Sequence, residues 1–317
     1  MNFTARQLLC ALDLGPSSPT ILRWARLLAE VFSSNVEILH VNRCNLPHYF
    51  MRSQCENLIR EMRRCEDDAR RNLMRLAEEH LGSGIDWSAT SKTGDTIEII
   101  RAHIAGTSPD LVILGGCRRR GLNRLFRTSV PEALIRLSDQ PLLFVPYPDD
   151  EATSDTVQIS NVLCVSDSCS LLSRSLVIAT TLARIFEATL IALVLNKAER
   201  EDPEEFQRLR SWLNDCYGER GHAAGVSAKQ TRAEEILRVA EQVKADLLVT
   251  CEDPRRLTKT GILGTLSRKV IKRLSFSILF VPESRRSNTR PLGRDCHDPG
   301  RYAQKRLQSR KNKKEPG

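Results

Sequence analysis

At 317 residues, with 41% apolar and 27% charged residues, the chain is long enough for about two domains, each with its own core. No apolar run approaches the ~20 residues that a membrane span needs. The start Met1-Asn-Phe-Thr-Ala-Arg-Gln lacks the basic-then-apolar plan of a signal peptide, so a cytoplasmic location is expected. The net charge of +9 sits mostly after Pro282, where eleven Lys and Arg face four Asp and Glu, so the basicity belongs to the tail.

In chain order, Gln7–Leu12 reads as a buried strand ending at Asp13, and Gly15-Pro-Ser-Ser-Pro19 carries helix-start chemistry. Ile21, Ala25, Leu28 and Phe32 then fall at helical spacing. Val36–Val41 is the second strand, and its His40 is expected to be a satisfied structural residue. A long helix over Pro47–Leu81 carries the stripe Cys55, Leu58, Met62, Cys65, Ala69, Leu73 and Leu76, with its charges on a solvated face. Gly82 and Gly84 end it, Ile85–Lys92 alternates as a strand, and Gly94-Asp95-Thr96 opens a helix holding Ile97, Ile100 and Ile104. The stretch Asp110–Pro146 follows: a strand, the glycines Gly115 and Gly116, a basic excursion, a helix opened by the capping box Ser129-Val-Pro-Glu132, and the strand Leu142–Val145.

That stretch occurs twice. Asp246–Pro282 repeats it 136 positions later without a gap, with Thr265 answering Ser129 and Val281 answering Val145. Asn161–Val165 restarts the first strand, and Asp167 answers Asp13 at an offset of 154. The second copy has therefore lost 18 residues, most of which we place at the shorter helix around Glu204–Tyr217. Thr231–Lys244 repeats the helix before the fourth strand. Strands alternating with helices predict an α/β chain: two tandem doubly wound, Rossmann-like domains, each a five-stranded parallel sheet flanked by helices. The expected boundaries are 1–148 and 158–283, joined by an acidic linker 149–157 and followed by a basic, disordered tail 284–317.

The ten cysteines are scattered without a CxxC pair, and Cys10, Cys164 and Cys251 lie inside apolar runs, as reduced core thiols would. The six histidines, His40, His48, His80, His103, His222 and His297, form no metal-ligand pair and no triad-like motif. No metal and no enzymatic activity are expected.

The first-strand Asp13 and Asp167, the segment Gly94-Asp-Thr-Ile-Glu98, the Asp-Leu-Val-Ile strand, the glycine loop and the Ser/Thr-opened helix before Leu-Phe-Val-Pro together resemble the universal stress protein family in its tandem form. The resemblance covers about residues 6–147 and 158–282. It implies a stress-response or regulatory protein of that type. Nucleotide-binding members hold ATP with a Gly-x2-Gly-x9-Gly-Ser/Thr loop, whose glycines let N–H groups approach the phosphates. The corresponding positions here are Gly115, Arg118, Thr128 and Ser129 in the first repeat, and Cys251, Pro254, Gly264 and Thr265 in the second. Of three glycines the first repeat keeps the first and the second keeps the last. A Cβ or a proline at the others opposes close backbone approach. The candidate nucleotide residues are therefore Asp13, Gly115, Arg118, Thr128, Ser129, Asp167, Gly264 and Thr265, in degenerate loops.

Two readings of the loops stay open. In one they have lost nucleotide, and the protein binds a partner or a small anionic ligand. In the other Arg118, Arg119, Arg120 and Arg124, or Arg255, Arg256 and Lys259, replace backbone donors and hold ATP. Cys117, between glycine and three arginines, is read as a spectator thiol, with a redox role as the alternative. The tail offers weak, salt-dependent nucleic-acid contact as a further alternative. In the family, subunits pair through the last strand, so a tandem chain can set Leu142–Val145 beside Ile278–Val281, leaving homodimerisation and an unknown protein partner open.

Overall fold

Runs such as Leu8-Leu9-Cys10, Val112-Ile113 and Leu142-Leu143-Phe144-Val145 are almost wholly removed from solvent. Only a sheet covered on both faces buries unbroken apolar runs in this way. The computed structural model describes residues 3–43, 52–115, 130–146, 156–166, 170–171, 173–195, 203–225, 232–252 and 276–282. By contact the chain divides into two units, one of Thr4–Val157 with Glu252–Pro282, the other built on Gln158–Cys251.

The first unit contains β1 (Gln7–Leu12), α1 (Ser18–Phe32), β2 (Asn35–Asn42), α2 (Arg52–Leu81), β3 (Trp87–Thr93), α3 (Thr96–Thr107), β4 (Leu111–Gly115), α4 (Val130–Leu137) and β5 (Leu142–Val145). The strand order is β3-β2-β1-β4-β5, all parallel. Next to β5 lies β10 (Ser277–Pro282), antiparallel, with Ile278 opposite Phe144 and Phe280 opposite Leu142. The two runs expected to sit side by side do so, and the β5 edge is covered.

The second unit contains β6 (Asn161–Ser166), α5 (Arg174–Ile185), β7 (Thr189–Val194), α6 (Pro203–Tyr217), β8 (Gly221–Gly225), α7 (Arg232–Gln242) and β9 (Leu247–Glu252). Its strands run β9-β6-β7-β8, again parallel. This is the order β4-β1-β2-β3 written again, so the sequence repeat is a repeat of topology. The 18 missing residues are mostly helix, since α2 has 30 residues and α6 has 15. At its end α6 is drawn close to β8. A Cβ on Gly221 would lie 2.5 Å from the carbonyl oxygen of Leu213, so only glycine fits.

The aspartates that open each repeated stretch have a structural explanation. Asp110 Oδ2 accepts from the backbone N–H of Arg6 at 2.8 Å and of Gln7 at 3.0 Å. Asp246 Oδ2 accepts from Ser160 at 2.8 Å and Asn161 at 2.9 Å. Each ties the amino end of the fourth strand of its repeat to the first. The Gly94–Glu98 segment is a helix start: Asp95 is the N-cap of α3 and accepts from the N–H of Ile97 and of Glu98, each at 3.0 Å.

The α2 stripe is corrected in part. Ala69, Leu73, Ala77 and Leu81 are buried, but none of residues 57–68 is. Cys65 is exposed, and Leu76 is only half-buried. Four-residue steps from Ala69 keep one face on the protein. The earlier steps Leu58 and Met62 follow the same helix but are only half-buried, and Cys65 is exposed. Cys10 and Cys164 are core thiols as expected, while Cys251 is half-buried.

Candidate functional site

Strand order in the first unit reverses between β1 and β4, and such switch points open a crevice at the carboxyl ends of the strands. Ala11 pairs with Leu114, which sets Leu12 beside Gly115 and puts Asp13 at the same rim. Asp13 Oδ1 accepts from the N–H of Gly15 at 2.9 Å, closing the turn into α1. Leu14 inside this turn has φ +57°, and Ser18 N–H donates to the Gly15 carbonyl at 3.0 Å.

Gly115 faces α1. A Cβ there would lie 2.7 Å from Ser17 Oγ and 3.3 Å from Ile21 Cδ1. Ser17 is itself buried. The first glycine of the loop is thus explained by helix-on-strand packing, which is one of the established uses of glycine at such a turn.

A polar corner adjoins Asp13 at the carboxyl ends of β2 and β3. His40 Nδ1 is 2.8 Å from the Leu12 carbonyl oxygen, and its Nε2 is 3.1 Å from Asn42 Oδ1. Asn42 Nδ2 donates to Ser91 Oγ at 3.0 Å. Arg43 Nε donates to Thr96 Oγ1 at 3.2 Å, and Gly94 N–H to the Asn42 carbonyl at 2.9 Å. Thr93 Oγ1 is buried without a hydrogen-bond partner. His40 is therefore the satisfied structural residue expected. Asn42, Arg43, Ser91 and Thr93 were not singled out from the sequence, although polar residues closing an apolar strand, as in Asn35–Asn42, are the signal for them.

Among the sequence-predicted site residues, Asp13 and Gly115 are brought together on one rim. Arg118, Thr128, Ser129, Asp167, Gly264 and Thr265 lie outside the described residues, as do Cys117 and the other loop cations. The described part of the rim supplies carboxylate, hydroxyl and amide groups, which suit a base or sugar. It does not by itself supply the N–H cradle a triphosphate requires. Elsewhere in the unit His103 Nε2 lies 2.8 Å from Glu37 Oε1, off the line of a hydrogen bond, and His103 Nδ1 lies 3.4 Å from Lys92 Nζ. This cluster joins α3 to the sheet.

In the second unit burial pushes the Cys164 thiol up to about 12, opposed by a hydrogen bond with Ser175 and reinforced by Cys251, which makes it a poor nucleophile at neutral pH. Burial likewise pushes Cys10 up. Among the described residues no cluster of His, Cys, Asp and Glu could hold a metal ion, and no helix is long and apolar enough to cross a membrane.

Comparison with known proteins agrees with this architecture. The model of the universal stress protein family matches residues 4–146. A universal stress protein from Archaeoglobus fulgidus superposes with TM-score 0.65 at 15% identity, covering 90% of this chain and 98% of that one. A functionally unknown Pseudomonas aeruginosa protein superposes with TM-score 0.57 at 17% identity, covering 88% of this chain and 92% of its own. At such identities the superpositions establish the fold alone, and they extend it across both units. No curated protein sequence matches the chain significantly. Over residues 4–146 the chain is thus similar to the universal stress protein family, and the superpositions give both units the fold of such proteins.

Proposed function

We propose that the chain is a non-enzymatic regulatory protein of the universal stress protein type, which acts by binding a small anionic ligand or a protein partner. The observation that carries this reading is the rim of the first unit. Asp13 and Gly115 flank the switch point, but Gly115 is filled by Ser17 and Ile21 rather than left open for a phosphate. His40, in the polar corner beside the rim, has both ring nitrogens within hydrogen-bond distance of oxygen atoms, which leaves neither pointing at a ligand for acid–base work. In this reading Arg118 and Arg120 grip the anion from the loop, Asp13 and Thr93 meet its uncharged part, and the second repeat, with Pro254 in its loop, serves as scaffold. The two copies of the sequence repeat, 1–148 and 158–283, are the domains in this reading, although by contact Glu252–Pro282 packs with the first.

Native mass spectrometry of the purified chain, followed by calorimetric titration with ATP, AMP and inorganic polyphosphate, tests this. Expected are binding of at least one anion, at least ~tenfold weakening in Arg118→Ala/Arg120→Ala, and no phosphate release from ATP. Turnover of ATP by the pure protein, or anion binding unchanged in the double variant, would overturn it.

A further inference from the structure

The amino-terminal half of α2 carries an apolar seam that the described residues leave at most half-buried. Leu58, Met62, Cys65 and Ala69 are spaced four, three and four residues apart, the a/d rhythm of a helix that pairs with another helix. From Ala69 onward the helix is buried on its own unit, at Ala69, Leu73, Ala77 and Leu81. Before Ala69 the seam continues with Leu58 and Met62 half-buried and Cys65 exposed. Ile59, beside the seam, is 50% exposed. Three apolar side chains before Ala69 at such spacing, with Ile59 beside them, exceed what a purely solvated helix face requires.

The charges around the seam are sorted by sign. On a helical projection Glu61 and Glu66 flank it on either side, with Asp68 next beyond Glu61. Arg60, Arg63 and Arg64 lie on the opposite face, together with Asp67. Asp68 pairs with Arg71 of the same helix. A second copy would therefore bring acid against acid: Glu61 faces Glu66 of the other helix in a parallel pair, and acids meet acids in an antiparallel one. A partner with lysine or arginine flanks meets opposite charge along the whole seam.

We propose that residues 58–68 of α2 form a docking surface for an amphipathic helix of another protein, with a narrow apolar stripe and basic flanks. This proposal does not rest on the rim reading. An interface of about two heptads is small, so the contact is transient, and its charged flanks make it weaken with salt.

The test uses the full chain and a fluorescein-labelled synthetic helix about three heptads long, with leucine at a and d and lysine at e and g. A second peptide carries glutamate at e and g. Fluorescence anisotropy should show the lysine-flanked peptide binding and the glutamate-flanked one failing. Met62→Lys should weaken binding at least ~tenfold. Glu61→Lys/Glu66→Lys should transfer the preference to the glutamate-flanked peptide. These side chains are not buried, so circular dichroism should show every variant folded. Absence of binding by the lysine-flanked peptide, or equal binding of both peptides, would overturn the proposal. So would a homodimer in sedimentation that Met62→Lys dissolves, because the occupant would then be a second copy.

Discussion

Replacing Gly115 by alanine tests whether the glycine of the first loop belongs to the fold. The added Cβ would sit 2.7 Å from Ser17 Oγ and 3.3 Å from Ile21 Cδ1, with Ser17 Cβ at 3.4 Å. The first contact is closer than real Cβ atoms approach, and Ser17 is the buried N-cap of α1, so α1 must shift or Ser17 must leave its rotamer. Overpacking of this kind costs about 1–3 kcal/mol. For a unit of this size that lowers Tm by about 2–4 °C per kcal/mol. Trp24 lies on α1 and is 4% exposed, so its fluorescence follows the element that moves. A Trp87→Phe/Trp212→Phe background isolates that signal. The decisive measurement is a double-mutant cycle with Ser17→Ala. Removing Oγ leaves contacts of 3.3 and 3.4 Å, which small adjustments absorb, so the double variant should regain most of the loss. A coupling of about 0.5–3 kcal/mol is expected for residues in contact. If Gly115→Ala is as stable as the parent, or if Ser17→Ala restores nothing, the packing account of Gly115 is wrong, and its place in the loop needs a ligand-based reason.

Asp110→Ala and Asp246→Ala each leave two backbone N–H groups without their carboxylate. Water competes at these strand ends, so each should cost about 1 kcal/mol in denaturant unfolding, and an unchanged midpoint for both would remove the tie assigned to them. Tyr217 is pushed up from 10 to about 12, chiefly by burial and against the pull of Arg184, and its hydroxyl donates to the Thr180 carbonyl at 2.8 Å. Because the folded state holds this proton more tightly than the unfolded one, the stabilisation is complete below pH 10 and is lost as pH rises from 10 toward 12. The slope is about 1.4 kcal/mol per pH unit. Tyr217→Phe should cost about 1 kcal/mol at neutral pH and flatten that alkaline loss, which unfolding curves at pH 8 to ~11 measure by difference from the parent. Equal alkaline slopes in the two proteins would refute the assignment.

What was legible in the sequence followed from local chemistry. Unbroken apolar runs such as Leu111–Leu114 can only be strands covered on both sides, and their recurrence 136 residues later carries the topology with it. The side-by-side placement of Leu142–Val145 and Ile278–Val281 was legible for the same reason, since two wholly apolar edges avoid water best by covering each other. The rim shared by Asp13 and Gly115 follows from both residues closing parallel strands.

The less legible features depend on partners far away in sequence. Asp110 looks like a loop residue until its carboxylate is seen on N–H groups 103 and 104 positions earlier. Gly115 looks like a phosphate glycine until Ser17 is found where its Cβ would be. The α2 stripe shows the limit most sharply. Leu58, Met62 and Cys65 share a helical rhythm with Ala69, Leu73 and Ala77, yet only the latter are fully buried. Periodicity reports which side chains share a face and says nothing about what lies opposite that face. An apolar face therefore implies a contact without saying whether the partner lies in the same chain, and only the placement of the helix against its own sheet separates the two. For α2 burial becomes complete at Ala69, within one continuous helix, which is why a single stripe in the sequence divides into a core segment and a more exposed segment, the one proposed above as a docking surface.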